Sequence, residues 1–416
     1  MASLDAGAGS PGGDACVLCT SCTKMKFRSD GCSHWLTKKN RWCNLTAGRD
    51  SAFCKEHDPQ QSSRRVPCPV DPTHTIPADS VERHVKICNK TRADAEVRSH
   101  DWFAEDVNGG GAGDAGADGG AARPVEELFR ALLALDADDY GDDEAARGAA
   151  EEADGPAGVM ETHADRDAAQ GGLILDKLDF FCPGLETADV AFVDLGAGKG
   201  GLGAVVRSRL PAAAVVLVER SAFKFKKDRV IGASGSFERV PGDLRDVSLE
   251  KVASLRGRAV VGVAKHLCGC ATDLALKALI QHGGLCAVAI ATCCHHACNW
   301  RDYVGRDHFA AQLRCASAAQ AAAEFKLVSK WSSWATGGAR AAALKTEHAA
   351  AAADFSDAAS LAPRDRLRVG RAAKRILDAG RLDYLTNSGL CADRQKYCAP
   401  AYSPENNVIL ASSDAH

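Results

Sequence analysis

The chain has 416 residues, a formal net charge of −3 and 46% hydrophobic residues. This length is sufficient for two or three domains with a large core. No apolar run approaches the roughly 18 residues of a membrane-spanning helix, and Met1 to Asp14 lacks the apolar core of a signal peptide. We therefore expect no membrane association and an intracellular protein, in the cytoplasm or the nucleus.

Charge is distributed unevenly along the chain. Residues 16–90 carry 13 Lys and Arg against 7 Asp and Glu, whereas residues 105–167 carry 4 against 18. Basic regions on either side of an acidic segment suit a polyanionic partner, although a solvated acidic linker between ordinary domains explains the pattern equally well. The 18 cysteines of an intracellular chain are more often metal ligands or core residues than disulfides.

Residues 28–60 and 64–92 each contain four potential zinc ligands. Zinc favours four thiolate or imidazole ligands in a closed tetrahedral site. The second set ends in a His-x3-Cys pair, whose members share one face of a short helix predicted over Ser80–Ile87. Segments this small need a metal to fold. The predicted ligands are Cys32, Cys43, Cys54 and His57 in the first module and Cys68, His74, His84 and Cys88 in the second.

Other interpretations of this region stay open. The ligands could be scattered free cysteines. Cys16, Cys19 and Cys22 lie in a segment, 1–27, that we expect to be flexible, and they lack a matching second half. The basic and aromatic run from Lys38 to Trp42 suits RNA phosphate contact and base stacking, or simply a solvated surface.

Residues 105–170 have the composition of a flexible tether. Gly109 to Gly120 is almost entirely Gly, Ala and Asp, which cannot bury enough apolar surface to become ordered. Val125–Leu135 has the pattern of a short amphipathic helix. We expect an acidic, mostly flexible linker here.

Residues 171–414 alternate between apolar β-type runs and helical patterns. This alternation predicts a doubly wound, Rossmann-like α/β domain with a mainly parallel sheet, in which ligands bind at the carboxyl ends of the strands. An alanine-rich stretch, Ala349–Ala353, reads as an exposed insertion. The predicted strands are Val190–Leu195, Ala213–Val218, Ala259–Ala264, Leu285–Ala291 and Val408–Ala411, and the predicted helices are Gly201–Arg209, Thr272–His282, Asp307–Ala323 and Arg366–Ala379.

A glycine-rich turn with ordered acids predicts a cofactor site in this domain. Three glycines follow a strand that ends in an acid, and the next two strand ends also carry acids. Dinucleotide sites prefer Gly-x-Gly-x-x-Gly, so the closer spacing here disfavours NAD. The acids suit ribose hydroxyls, an adenine amine and the charges of S-adenosylmethionine. The predicted contacts are Asp194, Gly196, Gly198, Gly200, Glu219 and Asp243.

Three further polar stretches are predicted to face a substrate. They are Lys265–Asp273, Thr292–Asn299 and Ser332–Gly338. A zinc site within Cys293–His296 is disfavoured because adjacent residues on extended backbone point to opposite sides.

Taken together, these motifs resemble the eukaryotic tRNA 2′-O-methyltransferase family that modifies nucleotide 4 of the acceptor stem. The resemblance covers roughly residues 32–90, 173–345 and 366–411, with a CHHC finger similar to one in a minor-spliceosome protein. The matching motifs are Cys-x10-Cys-x10-Cys-x2-His, Cys-His-His-Cys, Asp-Leu-Gly-Ala-Gly-Lys-Gly, Lys-His-Leu-Cys-Gly-Cys-Ala-Thr-Asp, Cys-Cys-His-His-Ala-Cys-Asn-Trp, Ser-Ser-Trp-Ala-Thr and Ser-Pro-Glu-Asn. The linker resembles the family least.

The resemblance implies methyl transfer from S-adenosylmethionine to a ribose 2′-hydroxyl, with two structural zinc ions and a tRNA acceptor stem as partner. No protein partner is evident. Lys265 and His266 are the candidates for the base or for a group that orients the hydroxyl, with His295 in reserve. One alternative is cytosine C5 methylation with a cysteine nucleophile; another is a zinc-dependent RNA-binding scaffold with an inactive methyltransferase fold. The candidate nucleophiles are Cys268, Cys270 and Cys293.

Overall fold

The computed structural model describes residues 31–37, 40–54, 56–58, 65–110, 120–137, 163–185, 189–224, 226–336, 361–399, 403 and 405–413. The chain divides into two units, Met1–Glu96 and Val97–His416. The segment 1–27, the cysteines within it and the alanine-rich stretch fall outside the described residues. Within the described part, no helix is both long and apolar enough to cross a lipid bilayer.

The first unit is built from two antiparallel hairpins and two consecutive helices. The predicted helix before the last cysteine ligand is confirmed. Buried cysteines form the centre of each hairpin module, and few apolar residues pack around them. The elements are β1 (Trp35–Leu36), β2 (Arg41–Trp42), β3 (Arg65–Pro67), β4 (Thr75–Pro77), α1 (Val81–Ile87) and α2 (Asn89–Arg98).

A seven-stranded sheet lies at the centre of the second unit. Its strands are β5 (Val190–Leu195), β6 (Ala214–Val218), β7 (Phe237–Val240), β8 (Ala259–Cys268), β9 (Leu285–Cys293), β10 (Cys391–Lys396) and β11 (Asn407–Ser412). Their order across the sheet is β10-β11-β9-β8-β5-β6-β7. Strand order therefore reverses between β5 and β8, and open α/β sheets bind ligands at such a point.

Helices cover both faces of this sheet, as predicted for a doubly wound domain. Alternate residues of β5 point to opposite faces. Ala191 and Val193 enter one buried cluster, and Val190 and Phe192 enter the other. The helices are α3 (Val125–Ala137), α4 (His163–Phe181), α5 (Gly201–Arg209), α6 (Asp228–Ile231), α7 (Ala271–Gln281), α8 (Arg306–Gln312), α9 (Ala318–Trp331) and α10 (Pro363–Asn387).

The sheet differs from the prediction at its edges. Strands β7 and β10 were not predicted, because their sequences, Phe-Glu-Arg-Val and Cys-Ala-Asp-Arg-Gln-Lys, contain few apolar residues and the strands occupy edge positions. The five strands β5 to β9 are parallel, whereas β11 runs antiparallel to β9 and β10 antiparallel to β11.

The helix predicted over Asp307–Ala323 is two helices. Arg314 has a left-handed backbone, φ 53°, which ends α8. Ser317 then caps α9 by accepting a hydrogen bond from the Gln320 amide at 3.1 Å. Serine favours this capping position over a helix interior.

Part of the predicted flexible linker 105–170 is folded as an integral part of the second unit. The Asn108 side chain is buried and donates to the carbonyls of Leu244 and Val247 at 2.7 and 2.8 Å. Helix α3 buries Leu128 and Leu132 completely. The helix predicted at Val125–Leu135 is confirmed as α3. The order of these described parts was not predicted, because composition was averaged over a segment that contains short apolar anchors. Residues 111–119 and 138–162 of the linker lie outside the described part.

The burial of α3 makes it part of the fold, so its removal from the core should destabilise the second unit. Leu132→Ala deletes a fully buried side chain, and such deletions cost about 2–5 kcal/mol. We expect a loss of this size in urea unfolding of the full chain. The matched control is Glu126→Ala on the exposed face of the same helix. Equal stability of the two variants would show that α3 is dispensable.

Candidate functional site

The glycine-rich turn after β5 forms an open cradle. Gly196, Gly198 and Gly200 all have positive φ, at 70°, 54° and 86°, which L residues rarely adopt. A Cβ on Gly196 would lie 2.7 Å from Leu267 Cδ1, whereas a Cβ on Gly198 would meet nothing within 4 Å. Gly200 caps the N-terminus of α5. The turn therefore leaves free space beside Gly198, next to a helix N-terminus that suits polar ligand groups.

Asp194 is buried beneath this turn. Its carboxylate accepts a hydrogen bond from the Gly203 amide at 3.0 Å, and the residue is 2% exposed. Burial raises the pKa of Asp194 to about 7, against the lowering effects of the Gly203 bond and of Arg239. Asp194 therefore fixes α5 to the end of β5, and the direct cofactor contact predicted for it stays a prediction.

Glu219 closes the cradle from β6. Its two carboxylate oxygens accept hydrogen bonds from the amides of Gly198 at 2.9 Å and Ser221 at 2.7 Å. The side chain is half-buried, and it lies against the predicted ligand space. This position agrees with the proposed recognition of ribose hydroxyls.

Asp243 lies after β7 and is more open. It accepts from the Arg245 amide at 3.0 Å and pairs with Arg220 at 3.1 Å.

Arg239, on β7, was missed by sequence reasoning because that strand was missed. Its guanidinium donates to the Gly198 carbonyl at 3.1 Å and pairs with Asp228 at 2.6 Å, so it holds the turn from below.

Strand β8 carries a bulge at His266. Lys265 pairs with Ala291 and Leu267 with Thr292, which leaves His266 as the extra residue. Its backbone is left-handed, φ 57°, and bulges and such strained residues concentrate near functional sites. The residue is exposed. Partial desolvation of the ring, and next Lys265, lower the pKa of His266, so the ring is neutral at physiological pH.

Lys265 is held in place by helix α4. Its ammonium donates to the Asp167 carboxylate at 2.7 Å and to the Gln170 side chain at 3.2 Å. These contacts hold the Lys265 side chain against helix α4, and its predicted role as a base stays a prediction. The sequence analysis placed Asp167 in the linker because of its composition. The ion pair between Asp167 and Lys265 could not be predicted from the sequence.

His295 lies away from the open edge of the site. It is 1% exposed, and its Nε2 lies 2.8 Å from the Asp378 carboxylate, which also accepts from the Thr292 hydroxyl at 3.2 Å. This burial contradicts the predicted reserve role of His295 as a substrate-facing base. The motif that contains it is ordered by helix α10.

A fully buried ion network joins the two loops that follow β8 and β9. Arg381 donates two hydrogen bonds to Asp273 at 3.1 and 2.8 Å, one to Asp378 at 3.0 Å, and one to the Gly269 carbonyl at 3.3 Å. Both carboxylates are 0% exposed. The Asp378–Arg381 spacing along one helix was a signal that could have revealed part of this network.

Two of the three predicted cysteine nucleophiles, Cys270 and Cys293, are buried, and Cys268 is exposed. Hydrogen bonding to Cys298, and next burial, raise the pKa of Cys270 above its usual range. Hydrogen bonding to Cys268 and Cys294, with burial, does the same for Cys293. At Cys268 the neighbouring thiols act in opposite directions, and partial burial contributes to raising its pKa to about 11. Thiolates are the reactive form, so these raised pKa values do not favour this alternative.

The predicted polar turn at Ser332–Gly338 is an aromatic packing element over its described part. Ser332–Thr336 is a short 3-10 helix, and Trp334 stacks on Trp331 with ring centroids 5.7 Å apart. Ser332 is fully buried. The expectation of a substrate-facing turn there is wrong, because its tryptophan is needed in the core formed with α3 and α10.

The first zinc module brings its four predicted ligands together. The Sγ atoms of Cys32 and Cys54 lie 3.4 and 3.3 Å from Nδ1 of His57. With Cys43, the four ligand atoms all lie within 4.8 Å of one another. Zinc–ligand bonds of about 2.0–2.3 Å in a tetrahedron require such separations. The side chains therefore fit one ion.

The second module is assembled in the same way. The Sγ atoms of Cys68 and Cys88 are 3.9 Å apart, and the Nε2 atoms of His74 and His84 are 3.0 Å apart. The donor set of two thiols and two imidazoles, again within 4.8 Å, fits a closed structural zinc site.

Comparison with known proteins identifies all three regions. The family described as Methyltransferase TRM13 matches residues 174–412. The CCCH zinc finger in TRM13 protein matches residues 30–58, and the U11-48K-like CHHC zinc finger matches residues 65–89.

Curated relatives match along nearly the whole chain. The "tRNA:m(4)X modification enzyme TRM13 homolog" of Mus musculus is 28% identical, over 94% of this chain and 96% of its own length. The "tRNA:m(4)X modification enzyme TRM13" of Eremothecium gossypii is 29% identical, over 92% and 95%. A solved structure of the plantazolicin methyltransferase BpumL with SAH covers 69% of this chain and 96% of its own, at 11% identity and a TM-score of 0.29, too low to support an argument. From the family match over most of the second unit, this chain belongs to the TRM13 methyltransferase family.

Proposed function

We propose that this methyltransferase transfers a methyl group from S-adenosylmethionine to the ribose 2′-hydroxyl of nucleotide 4 in a tRNA acceptor stem. The observation that carries the proposal is the placement of the Gly196–Gly200 cradle and the His266 bulge on neighbouring strands, β5 and β8, at the edge where strand order reverses. A cofactor and an acceptor group would meet there. The relatives are named tRNA:m(4)X modification enzymes, a name that fits this product.

The cofactor fits the cradle by the chemistry of its lining. S-adenosylmethionine supplies a methyl group on a positively charged sulfonium. The open space at Gly198 admits a ligand against the backbone, Glu219 offers carboxylate oxygens to ribose hydroxyls, and Asp243 lies on the next strand end for an adenine amine. Asp194 orients the helix below.

Glu219 should therefore contribute strongly to cofactor binding. Glu219→Ala removes the ligand acceptor and both hydrogen bonds that hold Gly198 and Ser221. Hydrogen bonds to a charged group are worth about 1.5–3 kcal/mol, so the Kd for S-adenosylmethionine in calorimetry should rise about 10- to 150-fold. The control is Glu250→Ala, at an exposed site outside the cradle. A Kd within twofold of wild type for Glu219→Ala would remove this residue from the site.

Methyl transfer to a hydroxyl depends mainly on alignment, since the sulfonium is already a good electrophile. A general base at the hydroxyl adds about 10²–10⁴-fold. We assign that role to His266, which is exposed and neutral, and we assign Lys265 a positioning role. Lys265 and Asp167 form an ion pair beside the ring, and Glu405 and Cys294 are the other charged or titratable groups that influence it.

The rate of the chemical step should follow the ionisation of His266. Its lowered pKa predicts a single-turnover rate that rises through the acid range and levels before neutral pH. His266→Ala should lose at least tenfold and lack this rise. Lys265→Met removes the positive neighbour that lowers the pKa, so the rise should move to higher pH, and Lys265→Arg should retain the wild-type profile.

Other outcomes would contradict these assignments. A His266→Ala enzyme that loses less than tenfold and keeps the wild-type pH profile would exclude His266 as the base. A Lys265→Met profile displaced to lower pH would exclude the electrostatic effect that we assign to Lys265.

We further propose that each finger holds one structural zinc ion and that the fingers contact the acceptor stem. Double-stranded RNA is recognised through shape, phosphates and 2′-hydroxyls, and the first module carries Arg41 and Trp42 on β2 beside its ligands. A tRNA substrate would place the enzyme inside the cell, in the cytoplasm or nucleus.

The chemical identity of the reaction product tests the proposed function. We expect tRNA treated with the full chain and S-adenosylmethionine to gain one methyl group at nucleotide 4. Alkali should then no longer cleave the chain after this nucleotide, and mass spectrometry of the fragments should show the uncleaved product. A matched tRNA with a 2′-deoxy nucleotide at position 4 should gain none. Methylation of that deoxy substrate would place the methyl group on the base and favour the cytosine alternative.

A further inference from the structure

Three thiols meet at the carboxyl ends of β8 and β9. Cys268 and Cys293 are paired neighbours on these parallel strands, and their Sγ atoms lie 3.2 Å apart. Cys294 follows directly. Its sulfur and the other two all lie within 4.8 Å of one another.

The backbone of Cys294 explains how adjacent cysteines converge. On extended backbone, consecutive side chains point to opposite sides, and for this reason the sequence disfavoured a metal within Cys293–His296. Cys294 is left-handed instead, with φ 50° and ψ 43°. The strand therefore ends with a turn that brings the Cys294 thiol to the side of Cys293. The premise of that sequence argument is wrong at this residue.

The three thiols satisfy the same distance limit as the ligand atoms of the two zinc fingers, and the Cys268 and Cys293 sulfurs, at 3.2 Å, are closer together than the two sulfurs of the second finger. Zinc–sulfur bonds of about 2.3 Å at tetrahedral angles place thiolates about 3.8 Å apart. The finger sulfurs Cys68 and Cys88 lie 3.9 Å apart and the four ligand atoms of that finger lie within 4.8 Å, the same limit that the three thiols satisfy.

A second cluster of possible metal ligands lies nearby and contacts a cationic side chain of the protein itself. Cys270, Asp273 and Cys298 also lie within 4.8 Å of one another. There the Arg381 guanidinium occupies the space between them, at 2.8 Å from Asp273 and 3.2 Å from the Cys298 sulfur. The protein supplies its own cation at that cluster.

The cluster of Cys268, Cys293 and Cys294 is held by different contacts. The Cys268 thiol lies against the Cys293 sulfur and donates to the His266 carbonyl, and the nearby buried Lys374 pairs with Glu405. Cys268 is exposed and Cys294 is partly exposed, so an ion could enter from solvent.

We propose that Cys268, Cys293 and Cys294 bind a thiophilic divalent cation, with Zn²⁺ as the probe, in a third metal site with its fourth position open to solvent. Soft thiolate ligands select such ions, and an open fourth position distinguishes this site from the closed fingers. Binding displaces the thiol protons. The site lies at the same sheet edge as His266, but its occupancy does not depend on the reaction proposed above.

Metal content tests this site directly. The full chain, loaded with Zn²⁺ and dialysed against metal-free buffer, should contain one equivalent more than its Cys294→Ser variant by elemental mass spectrometry. Cys391→Ser, at an exposed cysteine on β10 outside every cluster, should match wild type. Equal zinc in wild type and Cys294→Ser would overturn the proposal, because any third ion would then lie elsewhere.

Alkylation of the wild-type chain tests the same site without relying on a variant that could fail to fold. We expect the Cys268 and Cys294 thiols to resist alkylation in the zinc-loaded protein and to react after chelation, quantified peptide by peptide, while Cys391 reacts in both states. Labelling that is the same with and without the chelator would overturn the site. A Cys268–Cys293 disulfide would give this same contrary result, since a chelator does not reduce it.

Discussion

The buried guanidinium of Arg381 is the interaction on which the candidate site depends. It joins Asp273, at the start of α7, to Asp378 on its own helix α10, and Asp378 in turn holds Thr292 and His295. The loops after β8 and β9 are thus fixed to one helix by charges that are 0% exposed. Loss of one partner from a buried ion pair leaves an uncompensated charge and costs about 3–5 kcal/mol. Rigid loops of this kind can hold reacting groups in alignment.

On this framework, two backbone irregularities lie beside the proposed reaction site. The bulge at His266 and the left-handed turn at Cys294 occur at neighbouring strand ends. The first directs an imidazole outward beside Lys265, and the second gathers three thiols. Across the strand-order reversal lies the glycine cradle, held by Glu219 and Arg239. A methyl donor in the cradle and an acceptor at the bulge would therefore approach each other along one edge of the sheet.

The fold and the grouping of the zinc ligands could be predicted from the sequence. Local signals were strong at the glycine turn, at the buried parallel strands and at the zinc ligands, because each depends on residues close together in the chain. Contacts between distant residues could not be predicted, because they depend on which helix lies beside the loop. Examples are the burial of His295 against Asp378, the Lys265–Asp167 pair and the packing of Trp334. The helix predicted at Val125–Leu135 is present as α3, but its burial was not predicted, because an acidic average composition hid its few buried leucines.

The most direct measurement is a structure of the full chain with S-adenosylhomocysteine and a tRNA acceptor stem. The account predicts that the cofactor lies against Gly198 and Glu219, and that the 2′-hydroxyl of nucleotide 4 lies within hydrogen-bond reach of His266. A cofactor outside the glycine cradle, or an acceptor hydroxyl far from the β8 bulge with its base turned toward the cysteines, would contradict it.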